Sequence, residues 1–132
     1  MMTLSHGAHQ YRQTQIMTES GIQLIVLLYD SAIQSLELAR EGMIQNNVQD
    51  KARFLGRAVA IVTELSSVLN FEKGGAIAAS LYRLYEYMLG EFLQANLRND
   101  PHRLDGPLRC LINLREAWRE VASRQTATAA VG

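Results

Sequence analysis

Residues 20–33 read SGIQLIVLLYDSAI, and how that stretch opens and repeats decides the fold. Ser20 followed three residues on by Gln23 forms a capping box: the serine oxygen accepts from the Gln23 amide while the glutamine side chain reaches back. Ile22, Tyr29, Leu36 and Met43 then recur every seven residues, with Ile25, Ala32 and Ala39 beside them. This period predicts an amphipathic helix that stops at Gly42 or at the Asn46-Asn47 pair.

Three more segments carry the helical repeat. After Asn47, one stripe holds Val48, Ala52, Leu55, Val59, Val62 and Leu69. A second, Phe54, Ala58, Ile61, Leu65 and Val68, lies about 100° around the same helix. That helix ends near Asn70, and Gly74-Gly75 predicts a turn needing positive φ. The third helix runs from about Gly75 to Arg98 with Ile77, Leu81, Leu84, Met88, Phe92 and Ala95 on its core face. The fourth has Asp100 as N-cap and Pro101 at the first helical position. It continues through Leu104, Leu108, Leu111, Leu114, Trp118 and Val121. Pro107 inside this pattern predicts a kink, or a helix start shifted toward Asp105. Helices about 30 Å long joined by a few residues must run antiparallel to their neighbours. The expected fold is all-α, an antiparallel up-down four-helix bundle over residues 19–124. A flexible N-terminal arm (1–18) precedes it and a disordered, frayed tail (125–132) follows.

Composition narrows the function. The 132 residues suit one domain, and thirteen Lys+Arg balance thirteen Asp+Glu. A neutral chain speaks against nucleic-acid binding through bulk charge. The longest unbroken apolar run, Leu24 to Tyr29, is far short of the roughly 20 residues of a membrane span, so no membrane insertion is expected. The first residues lack the apolar core of a secretory signal, and the single Cys110 suits a reducing cytoplasm, which is the expected location. A di-iron bundle needs Glu-x-x-His on two helices, and neither occurs. His6 and His9 make a weak metal pair at best, His102 stands alone, and no phosphate-cradling glycine loop exists. No cofactor, no metal and no catalysis are expected.

What the chain has in excess is apolar surface. A bundle helix needs an apolar stripe of about three residues in seven. Across Ile22 to Tyr29 only Gln23 is polar, so Leu24, Leu27 and Leu28 exceed what one core absorbs. Tyr82, Tyr85, Tyr87, Leu89 and Leu93 lie behind the stripe of the third helix. Tyrosines with an apolar body and a wet hydroxyl suit a surface that is covered only part of the time. A homodimer would bury such an excess; so would a groove for an apolar partner segment. Tyr11, Ile16 and Met17 are apolar points in the arm, able to lie over an empty groove.

Five segments in one order resemble a known family: LIVLLYDSAI (24–33), LNFEKGGAIA (69–78), LYRLYEYM (81–88), ANLRND (95–100) and LREAWRE (114–120). They are similar to the flagellar export chaperones, FliS. The resemblance implies an antiparallel helical bundle in the cytoplasm that binds the C-terminal segment of flagellin. Such a chaperone prevents premature polymerisation and aids delivery to the flagellar type III export gate. It also implies that Leu28, Tyr29 and Asp30 match the family's signature, and that Tyr11 matches a tyrosine of the arm covering the hydrophobic site. With Ile16, Leu24, Tyr82 and Tyr85 these are the expected partner-binding residues. The alternative is a helical adaptor, or a self-associating bundle, serving a different export client.

Overall fold

A computed structural model describes the backbone of residues 19–131 and the side chains of residues 21–124. Four helices follow one another: α1 (Glu19–Ile44), α2 (Val48–Ser67), α3 (Phe71–Arg98) and α4 (Asp105–Val131). A 3₁₀ turn, Pro101–Leu104, joins α3 to α4. The all-α up-down bundle expected from the periodicity is the fold.

Asparagine makes the turns. Helix α1 runs straight through Gly42, and Asn46 ends the connection's first half with a left-handed φ of 56°. Asn47 then caps α2, its side-chain oxygen accepting from the Asp50 amide at 3.1 Å. Gly42 serves packing instead. A Cβ there would stand 2.8 Å from the Lys51 backbone nitrogen, so its absence lets α1 and α2 approach closely. Asn70 caps α3 by accepting from the Lys73 amide at 2.9 Å. Asn99, with φ 48°, closes α3, and Asp100 caps the 3₁₀ turn through the His102 amide. Gly75 takes the expected positive φ (49°, with ψ −122°), but inside α3, after one helical turn at Phe71–Gly74. At Pro107 the second expectation holds: α4 starts at Asp105, which leaves the proline in the first turn, where a missing N–H breaks no helical bond.

Every apolar position proposed for the core face of α1 is buried: Ile22, Ile25, Tyr29, Ala32, Leu36, Ala39 and Met43. By length and composition Gly21–Ile44 would pass for a membrane span. Burial of that face against α2 and α4 accounts for its apolarity. Two of the other stripes shift. In α2 the buried face combines Leu55 and Val62 with Ala58 and Leu65, leaving Val48 and Val59 outside. In α3, Ile77 is 73% exposed while Tyr85 turns inward at 2%. Both α3 changes follow from one phase shift: the buried face of α3 runs through Ala78, Tyr85, Met88, Phe92 and Ala95, which puts Ile77 about 100° away from it. Helical backbone also continues through residues 125–131, where a disordered tail was expected. Ala127, Ala129 and Ala130 favour helix, and no breaker intervenes before Gly132.

The four seams are unequal. Helix α1 packs along both α2 and α4, and α2 along α3, whereas α3 and α4 share the least contact. Near the 3₁₀ turn that last seam is closed by the Arg103–Glu91 ion pair at 3.6 Å and by the Tyr87 hydroxyl lying over Gly106. Toward the other end, where α1 begins, it opens.

Two glycines test this packing. Gly42→Ala is expected to lower stability by about 1–3 kcal/mol, because the added methyl meets backbone. Gly56→Ala, in an α2 position with nothing within 4 Å of the new methyl, is expected to raise it by about 0.5–1 kcal/mol. Urea midpoints of the two variants check both signs.

Candidate functional site

Beneath the open end of the α3–α4 seam lies a buried polar node. The hydroxyls of Tyr29 (α1) and Tyr85 (α3) are 2.5 Å apart, and the Trp118 indole N–H of α4 donates to the Tyr29 oxygen at 3.2 Å. Three helices therefore meet through one hydrogen-bonded cluster inside the core. Burial pushes both phenols above the ordinary phenol range, since a phenolate would lose its water. At Tyr85 the neighbouring Tyr29 adds to that rise. At Tyr29 the bonds from Tyr85 and Trp118 partly offset it.

One residue on, Asp30 leaves the core. It pairs with Arg115 at 3.1 Å and Arg119 at 3.3 Å, both on α4, while Glu116 pairs with the same two arginines. The four groups are part-exposed, so each pair contributes roughly 0–1 kcal/mol and fixes alignment more than stability.

Directly above the node is an apolar cleft of about 310 Å³. Its walls come from all four helices: Ile25 of α1, Leu65 of α2 with Val68 and Leu69 just beyond it, Ile77, Ala78 and Leu81 of α3, and Trp118 of α4, with Tyr85 at its base. Asn70, Lys73 and Gly74 complete one rim, and Lys73 is the only charged residue among those lining it. The cleft exists because α3 and α4 diverge here and because an aromatic pair, not aliphatic packing, spans the gap. Its volume sits at the small end of the ligand-pocket range of about 300–1,000 Å³, enough for a few anchoring side chains.

Of the residues expected to bind a partner, the structure brings only Tyr85 to this cleft. Tyr29 has no exposed surface; it holds the node because its hydroxyl finds partners only there. Asp30 faces the α4 arginines. Leu28 is half-buried against the core, and Leu24 is half-buried without lining the cleft. Tyr82 is exposed and meets Phe71 edge-on, with ring centroids 6.0 Å apart. Tyr11 and Ile16, with Met17, His6 and His9, lie outside the described residues. Reasoning from the sequence missed Ile77, Leu81, Val68, Leu69 and Trp118. The signal available was the seven-residue spacing of Ala78, Tyr85 and Phe92, which puts Ile77 beside the buried face and not on it. Among the described residues no three His, Cys, Asp or Glu side chains cluster as metal ligands.

The family pattern described as Flagellar protein FliS matches residues 4–125. The chain belongs to the FliS family. It is 38% identical over 128 residues to the flagellar secretion chaperone FliS of Salmonella typhimurium, covering 93% of this chain and 95% of that one. To the FliS of Vibrio cholerae it is 33% identical, with 82% and 79% covered. To the FliS of Escherichia coli it is 32% identical, with 90% and 91% covered. These FliS relatives carry the name of chaperones and none that of an enzyme. The Leu28-Tyr29-Asp30 run, part of what makes the chain resemble FliS, builds the bundle: a packing leucine, the node tyrosine and the aspartate that aligns α4.

The node makes the fold sensitive to alkali. Folding raises both phenol pKa values above their unfolded value of 10.0, so the stability they contribute is complete below about pH 10 and is lost as pH rises beyond it. Two of the five tyrosines are therefore expected to ionise only as helix is lost, in one cooperative step. Tyrosinate absorbance and circular dichroism followed together check this; full ionisation with the helical signal intact would contradict it.

Proposed function

We propose that this chain is a cytoplasmic export chaperone whose apolar cleft receives the C-terminal segment of flagellin. Held there, the segment is kept from polymerising before it reaches the flagellar type III export gate. The carrying observation is the cleft itself, walled by apolar side chains from all four helices, with Asn70 and Lys73 at one rim, and open to solvent at Ile77. A disordered segment that orders on binding loses conformational entropy, so it needs broad apolar contact to stay bound. Anchors at i, i+3 and i+4 on one helical face would enter such a cleft. The arm, residues 1–18, is tethered beside it. Glu19 starts α1, and Ile25 on the cleft wall is about 9 Å further along that helix. A segment so tethered acts at an effective concentration near millimolar, enough to mask a weak site and yield to a stronger ligand.

Calorimetry with a flagellin C-terminal peptide tests the reading. Binding with a negative heat-capacity change and a gain of helical signal is expected. Ile77→Asp is expected to weaken the complex by at least ~2 kcal/mol, since it places an unpaired charge where apolar surface is covered. An exposed position predicts little change in the variant's own stability. Removal of residues 1–17 is expected to tighten binding or leave it unchanged; loss of binding from a folded bundle would make the arm part of the site. A dimer that buries Tyr82 and Leu93, with no peptide bound, would replace this reading with self-association.

A further inference from the structure

We infer that residues 70–74 form a hinged lip that opens and closes the apolar cleft, with Gly75 as hinge and the Phe71–Tyr82 contact as latch. The inference rests on the proposed client cleft and concerns the regulation of that same site.

The cleft wall is split by the hinge: Asn70, Lys73 and Gly74 precede it, Ile77 and Leu81 follow it. Gly75 departs from helical geometry at φ 49° and ψ −122°, a conformation that side chains strongly disfavour. Gly74 is tied to the same bend, since a Cβ there would stand 2.9 Å from the Ala78 Cβ. Nothing lies within 4 Å of a Cβ built on Gly75, so a methyl group there meets no neighbour and only the backbone angles oppose it. The lip is a capped unit of its own, held by Asn70 to the Lys73 and Gly74 amides. Across the hinge its tie is the edge contact of Phe71 on Tyr82, both of them exposed. Were Gly75 to take helical angles, α3 would run straight from Asn70. Lys73 and Gly74 would leave the rim, and the half-buried Trp118 would become more exposed. The bent form narrows the mouth of the cleft to an opening beside Ile77; the straight form widens it for a ligand.

Trp118 is the chain's single tryptophan and lines the cleft, so its fluorescence reports the lip without any ligand. Acrylamide quenching is compared in the full chain and in two variants. Phe71→Ala removes the latch at an exposed position, and Gly75→Ala favours the helical over the left-handed form. Each is expected to raise the quenching constant at least 1.5-fold and to speed association of a flagellin C-terminal peptide, with the urea midpoint of the bundle held. If Gly75→Ala fails to fold, Phe71→Ala decides alone. Unchanged quenching in the folded variants overturns the lip, whether or not the peptide binds. Increased quenching with no peptide bound by the unaltered chain supports the lip and overturns the client reading instead.

Discussion

Everything at the open end of this bundle depends on one buried contact, the hydrogen-bonded meeting of Tyr29, Tyr85 and Trp118. The two phenol hydroxyls are removed from water, and each of the three polar groups is satisfied by another. Losing one partner would strand a buried group at about 1–3 kcal/mol, more than the net worth of the bond itself. The cluster thus fixes the register of α1, α3 and α4 together. It also sets their spacing: two tyrosines end to end bridge a wider gap than interdigitated leucines do. The cleft above follows from that spacing, and Tyr85 and Trp118 belong to both.

The asymmetry of the α3–α4 seam gives the molecule its polarity. At one end the Arg103–Glu91 pair and the close approach of Tyr87 to Gly106 bind the two helices, and the Arg40–Asp105 pair ties α1 to the start of α4. At the other end α3 begins with a bent turn, and mostly aromatic and aliphatic side chains line the gap, with Asn70 and Lys73 at its rim. Chain entry to α1 lies at this same end. Rigidity and access are therefore separated along the bundle axis, with the aromatic node at the boundary.

The fold was legible because burial in α1 obeys its seven-residue repeat, and because short connections leave antiparallel packing as the outcome. Turn chemistry was legible in kind more than in place. Positive φ at Gly75 was anticipated, but Asn70 starts α3 before it. Of the two stops expected for α1, the Asn46-Asn47 pair is the real one, and Gly42 is a contact between helices. Positions within the site were less legible, for a physical reason. A stripe of apolar residues does not say which flank faces the core and which borders a gap. Tyr85 and Ile77 exchanged roles on that account. Tyr29 and Asp30, conspicuous by type, are consumed by hydrogen bonds and ion pairs within the bundle. Trp118 continues the apolar stripe of α4 but is half-buried: one edge packs on the core and the other forms the cleft.

The central claim is that the divergence of α3 and α4 above the aromatic node makes the client cleft. Its most direct test is the indole N–H resonance of Trp118 in isotope-labelled protein titrated with a flagellin C-terminal peptide. A saturable shift of that signal, accompanied by shifts of amides in residues 68–81, is the expected result. Saturable binding that leaves the indole signal and those amides unmoved would place the client elsewhere on the bundle and contradict the claim.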